Sequence, residues 1–172
     1  MEDITALVLE DHAEFRRGFA YLDDARTTEQ IRAVWQQLSR HLEVHAEAEE
    51  EILYPYLLKA SEKAEDETDD AIRDHNKIRD AIDEAARHPV ASEEWWAAVW
   101  QARRENSEHL MEEEDEVLPD FRKHATFDLR ADLGARWITF YGEHPDGEGL
   151  LFRDKDPKEY IKQYKSSAPD PG

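Results

Sequence analysis

The chain has no cysteine. That excludes disulfides, thiolate catalysis, iron–sulfur clusters and cysteine-ligated zinc. Glycine and proline are scarce, at 6 and 7 of 172 residues, whereas Ala, Glu, Leu, Arg and Lys abound, which is the profile of a helical protein. No run of about 18 unbroken apolar residues occurs, so no membrane span is expected. The start, Met1-Glu2-Asp3-Ile4, lacks the apolar segment of a signal peptide, and a cytoplasmic address is the expectation. Bases are outnumbered, 22 against 42 acids, for a net charge of −20. Such a surface repels phosphates and anionic lipid, so neither nucleic acid nor membrane is an expected partner. The same field attracts cations, although solvated helix faces ordinarily carry such acids.

Apolar residues recur at helical spacing in four segments. One stripe runs through Ile4, Val8, His12, Phe15 and Phe19, and a second through Leu38, Leu42, His45, Glu49 and Ile52. The third holds Ile72, His75, Ile78 and Ile82, and the fourth Val99, Ala102, Asn106, His109, Glu113 and Val117. Thr27 with Gln30 forms a capping box and Ser92 a cap, while His88-Pro89 ends a helix. Helices are predicted at 3–25, 28–61, 66–88 and 93–123, with a kink or stop near Pro55 and Pro119. Short connections make neighbours antiparallel. The fold class is therefore all-α: an antiparallel up-down-up-down four-helix bundle over 1–125. An extension over 126–172 packs on the same domain, with a helix at 127–142, a short one near 157–165 and an irregular tail.

The chemistry lies in an internal repeat. Asp11-His12-x-x-Phe15-Arg16 returns as Asp74-His75-x-x-Ile78-Arg79, 63 residues on. His45-x3-Glu49-x5-Pro55 returns as His109-x3-Glu113-x5-Pro119, 64 residues on. Residues four apart on a helix lie within roughly 40° of one another and one turn apart along its axis. Each His–Glu pair therefore points one way, and each lies on its helix's apolar stripe. Counted along the predicted helices, all four histidines and both glutamates fall at one depth of the bundle. Two buried carboxylates and four imidazoles without compensation would cost several kcal/mol. Metal cations offset that cost. Oxygen and nitrogen donors without sulfur suit iron or manganese, and zinc less distinctively. A pseudo-two-fold set in a bundle suits two metals bridged by carboxylates.

The four-helix region, roughly 4–123, resembles the hemerythrin-like family with its HHE cation-binding domain. The resemblance implies a non-haem di-iron centre of two iron ions with an oxo or hydroxo bridge. It implies His12, His45, Glu49, His75, His109 and Glu113 as metal ligands, with Glu49 and Glu113 bridging. It implies a small-molecule ligand, dioxygen, nitric oxide or peroxide, either bound for storage or sensing or turned over by an oxidoreductase; iron buffering is a third role. The expected state is a monomer or weak oligomer. Oxygen-carrying members have a second histidine where this chain has Arg79, and an aspartate where it has Glu114. One nitrogen donor fewer leaves more open positions and weighs against reversible oxygen carriage.

Other groups are read more plainly. His41, one turn before His45, is expected to support the site or to lie at its rim. His144, with Glu143 and Asp146 in a loop, is expected at the surface. Arg16 and Arg79 suit either ion pairs with acids around the ligands or surface positions. The five tryptophans, Trp35, Trp95, Trp96, Trp100 and Trp137, are expected to pack in the core. Tyr21, Tyr54 and Tyr56 lie close enough in sequence to approach the metals, but spacing does not place their hydroxyls.

Overall fold

The computed structural model describes residues 2–60 and 63–167. Its elements are α1 (Ile4–Asp24), α2 (Thr28–Ala48), α3 (Tyr54–Ala60), α4 (Ala64–Ala86), α5 (Glu93–Glu112), α6 (Leu118–His124), α7 (Phe127–Glu143) and α8 (Pro157–Ser167). Two π-helical turns, Glu49–Leu53 and Glu113–Val117, join α2 to α3 and α5 to α6 without a break. Four rods result: α1, α2–α3, α4 and α5–α6. Among the described residues there is no strand, and no helix is long and apolar enough to cross a membrane.

Local chemistry sets the helix starts. Asp3 accepts from the Thr5 amide at 2.9 Å and opens α1. Thr27 and Gln30 close the reciprocal capping box of α2, and Ser92 accepts from the Trp95 amide at α5. Thr126 does the same for α7 with Leu129. Each cap satisfies amides that the first helical turn leaves orphaned. The expected ends agree within two residues, except that the end placed at 61 and residues 168–172 of the tail lie outside the described residues. Ser166 and Ser167, read as tail, close α8.

Cross-rod contacts give the direction of each neighbour. Phe15 meets His41 and His12 meets His45 between α1 and α2. Arg79 meets Glu47 and His75 meets Glu50 between the second and third rods. Lys77 faces Glu105 while His75 faces His109 between α4 and α5. Arg103 pairs with Asp23 while Arg16 pairs with Glu114 between the fourth rod and α1. In every pair rising numbers meet falling ones, so all neighbours are antiparallel.

The core is two apolar clusters separated by a polar layer. Phe15, Phe19, Leu38, Trp95 and Val99 pack in one; Ile4, Ile52, Leu57, Phe121 and Trp137 belong to the other. His12, His45, His75 and His109 lie where the stripes cross from one cluster to the other. Trp35, Trp95 and Trp137 are buried as expected, but Trp100 is 45 % exposed and stacks on Trp96 at the surface. The aromatic stripe of α5 is wider than the face it buries, so its edge meets water.

Neither proline stops its rod, since helix continues through both. A proline has no N–H to give, and the preceding turn widens into π geometry. In that register the carbonyl left without an amide five residues before Pro55 is that of Glu50, and the Tyr160 hydroxyl of α8 donates to it.

Residues 127–167 wrap the bundle. α7 lies against α1 and α2, and α8 against α3 and α4. Gly134 permits the first contact, since a Cβ there would sit 2.0 Å from the Glu2 carbonyl oxygen. Between the two helices the chain turns through Gly147, whose φ of +76° suits glycine.

Candidate metal centre

The structure brings the six predicted residues together in the polar layer. All six residues are 3 % exposed or less. His12, His45, Glu49 and Glu113 form one group whose donor atoms lie within 4.8 Å of one another, and Glu49, His75 and His109 form a second. Glu49 belongs to both. Its Oε1 lies 3.2 Å from His45 Nε2 and its Oε2 3.2 Å from His75 Nε2. Glu113 spans the other diagonal, with Oε2 at 3.3 Å from His12 Nε2 and 3.5 Å from His109 Nε2.

An outer ring of carboxylates turns the imidazoles inward. His12 Nδ1 lies 2.9 Å from Glu114, His45 Nδ1 3.0 Å from Asp11 and His75 Nδ1 2.7 Å from Glu50. His109 Nδ1 has the longest reach, 3.9 Å to Asp74. Asp11 and Asp74 thus each serve the histidine of the next rod, and Glu50 and Glu114 each serve a histidine of a neighbouring rod. An Nδ1–H donated outward leaves the Nε2 lone pair facing in, the usual arrangement of a metal-ligating histidine. Arg16 donates to Glu114 at 2.8 Å, and Arg79 to Glu50 at 3.0 Å and Glu47 at 2.9 Å. Every Asp, His and Arg of the repeated Asp-His-x-x-apolar-Arg motif therefore has a partner at this layer.

Arg79 is buried but turned to these acids, so its guanidinium supports His75 through Glu50. Glu114 likewise faces the outer side of His12. His41 approaches Asp11 at 3.4 Å and so supports His45 from the rim. His144 lies apart, bonded to the Glu148 carbonyl.

Tyr54 is the residue that spacing left unplaced. It is fully buried, and its hydroxyl donates to Glu113 Oε1 at 2.9 Å and lies 3.2 Å from Glu49 Oε2. Tyr21 is exposed and Tyr56 bonds Arg136 at the surface. Burial and the charges of Glu113 and Glu49 push the Tyr54 phenol well above its usual range, so it holds its proton.

The donor set fits metal cations on its own geometry. His12 Nε2, His45 Nε2, Glu49 Oε1 and Glu113 Oε2 are buried atoms without hydrogen-bond partners, and all face the centre. Such orphans are costly unless something positive stands among them. Without metal, protons on His45 and His109 would supply part of that charge. Burial alone would lower the His45 imidazole, but the charge of Glu49 and the hydrogen bond to Asp11 hold it at about 10. Burial likewise opposes the His109 cation, yet the charge of Glu113 and the nearby Glu49 carboxylate hold it at about 9. Burial would raise Glu49, but the His45 charge and the imidazoles of His109 and His75 beside it keep it well below the ordinary carboxylate range. A cavity of about 390 Å³ lined by Lys63, Glu67, Asp70, His109 and Glu113 leads to the second group.

No curated protein and no solved structure matches the chain. The hemerythrin HHE cation binding domain matches residues 3–121, which run from the cap of α1 into α6 and contain all six inward donors and their outer carboxylates. The chain belongs to the hemerythrin HHE cation-binding domain family.

Proposed function

We propose that the protein is a non-haem di-iron protein of the hemerythrin-like type that binds dioxygen or a related small molecule. The observation that carries this reading is the two buried donor groups that share Glu49, the first of them holding four atoms without hydrogen-bond partners. His12 and His45 would hold one iron and His75 and His109 the other, with Glu49 and Glu113 shared. Nitrogen and oxygen donors without sulfur support iron over softer ions. These groups are too few to fill two six-coordinate ions, so room is left for dioxygen, nitric oxide or peroxide. Bound iron would supply electrons and Lewis acidity to such a molecule. The protein's own part is to hold the imidazoles by Nδ1, exclude bulk water with the two apolar clusters, and admit a small guest through the cavity beside His109.

Tyr54 favours a second reading, an oxidoreductase that consumes peroxide or a reactive nitrogen species. Its hydroxyl is a buried hydrogen-bond donor inside the donor set. Such a donor stabilises the negative charge that develops on oxygen when an O–O bond breaks.

Metal analysis of iron-loaded protein tests the first reading, with two irons per chain expected. A reproducible ratio near one in intact protein overturns it. Anaerobic ferrous loading followed by dioxygen, nitric oxide and peroxide, with the visible spectrum recorded, separates a reversible adduct from consumption.

A further inference from the structure

We propose that the chain beyond residue 121 is a working part of the metal centre, and that Lys155 is a positioning residue that makes the two metal positions unequal by clamping Glu50. The proposal rests on the two-metal reading above. Glu50 receives the Nδ1–H of His75 on one face. On its other face it receives Arg79, at 3.0 Å to both oxygens, and the Lys155 ammonium. Lys155 also reaches Glu47 at 2.6 Å.

The clamp is held at separate points. The Asn76 side chain pairs with both backbone groups of Lys155, donating to its carbonyl at 2.8 Å and accepting from its amide at 3.0 Å. Asn76 follows His75 directly, so the strap is fastened beside the ligand that it supports. Tyr160 donates to the Glu50 carbonyl that Pro55 leaves without an amide. Together these fix Glu50 by side chain and by backbone.

At the other position the extension reaches Asp11, through the Tyr141 hydroxyl at 2.7 Å, but among the described residues brings no cation. Glu114, the counterpart of Glu50, is bonded among the described cations to Arg16 alone, and its side chain is 27 % exposed against 1 % for Glu50. His12 thus leans on a carboxylate that shares its charge with water and one half-exposed arginine. His75 leans on a buried one that shares its charge with two cations, the covered Arg79 and the partly exposed Lys155. Outer carboxylates set the orientation and basicity of a ligating imidazole, and losing one costs roughly 10–100-fold in metal affinity. The cations that hold such a carboxylate act on the same quantity.

The test is Lys155→Met in the full chain, with Tyr160→Phe as a second variant that keeps the ring packing and Lys155→Arg as the rescue. In the metal-free protein, nitrogen-resolved NMR of the histidines is expected to show the His75 Nδ1–H exchanging with water about tenfold faster in Lys155→Met, with the other imidazoles unchanged. Titration with cobalt(II) is expected to show about a tenfold loss at one of two positions, restored by arginine. Unchanged His75 exchange in both Lys155→Met and Tyr160→Phe overturns the proposal. So does an equal change at all four histidines together with a lower melting temperature, which marks lost packing alone. Native protein that takes up a single cobalt refutes the two-metal reading, and with it the claim of unequal positions; the His75 signal still decides whether Lys155 acts on that ligand.

Discussion

Glu50 and Glu114 stand 64 residues apart and do the same thing, accepting from the Nδ1 of His75 at 2.7 Å and of His12 at 2.9 Å. The repeat therefore extends past the inward donors to the groups that aim them. Each half contributes a histidine, the arginine one turn later, and the glutamate that joins them from another rod. Removing one member leaves a carboxylate or an imidazole unpaired in the interior, so the ring is expected to fail as a unit under mutation.

Replacing His109 by alanine is expected to lower metal content and stability far more than His144→Ala. His109 lies in the buried layer between Glu49 and Glu113, whereas His144 bonds only a loop carbonyl. Without His109, Glu113 loses one of its two imidazole neighbours, at a cost on the order of several kcal/mol. Metal analysis and melting of both variants check this, and equal values would refute the assignment.

The metal-free protein is expected to lose stability as pH rises from about 6.5 toward 10. His45 and His109 are held at about 10 and about 9 in the folded chain, above the 6.5 of a free imidazole. A folded-state value above the unfolded one stabilises the fold below the unfolded pKa, and the gain disappears as pH passes the folded value. Burial opposes these cations and the glutamate charges outweigh it. Metal reverses the trend, because it replaces those protons and binds better as they leave. Denaturant midpoints at pH 6, 8 and 10, with and without metal, are the measurement. A metal-free midpoint that rises over this range would contradict the charge assignment.

The inward donors were legible because they obey ordinary helical spacing twice over. His45 with Glu49 and His109 with Glu113 are one turn apart, and repetition removed chance. Tyr54 was not legible, for a geometric reason. Five residues after Glu49, an α-helix would carry it about 140° around the axis and away from the centre. The π turn bonds the Tyr54 amide to the Glu49 carbonyl and returns the side chain to the same face. The proline six residues after each glutamate does not stop the helix; it follows the widened turn, which spacing alone does not reveal. Lys155, Tyr160 and Tyr141, which donates to Asp11 at 2.7 Å, lie outside the repeat, so no internal comparison pointed to them.

Tyr54→Phe is expected to keep both metals and lose turnover. The ring stays packed in the apolar cluster, and the hydroxyl is not among the imidazole and carboxylate donors on which the two positions rest. What disappears is the hydrogen-bond donor held 2.9 Å from Glu113. One buried donor aimed at developing charge contributes about 10²–10³-fold, so peroxide consumption is expected to fall by about 10²-fold with iron content unchanged. Equal consumption in the variant would remove the observation that favours the oxidoreductase reading.

Arg79→His puts into this chain the residue that oxygen carriers use at the same place, and it is expected to weaken metal binding instead of adding a ligand. The Arg79 guanidinium spans Glu47 and Glu50 from a position only 3 % exposed. An imidazole is too short to bridge both acids as the arginine does. Glu47 and Glu50 would then rely on Lys155, and Glu50 would hold His75 less firmly. A partner lost at this distance from a metal lowers affinity by roughly 10–100-fold, and the loss is expected at one position of the two. Competition with a chelator measures it, and the optical spectrum after exposure to air reports any new donor. Tighter binding, together with a long-lived adduct in air, would mean that residue 79 turns inward once its charge is removed. The arginine would then be what keeps this site from being a carrier.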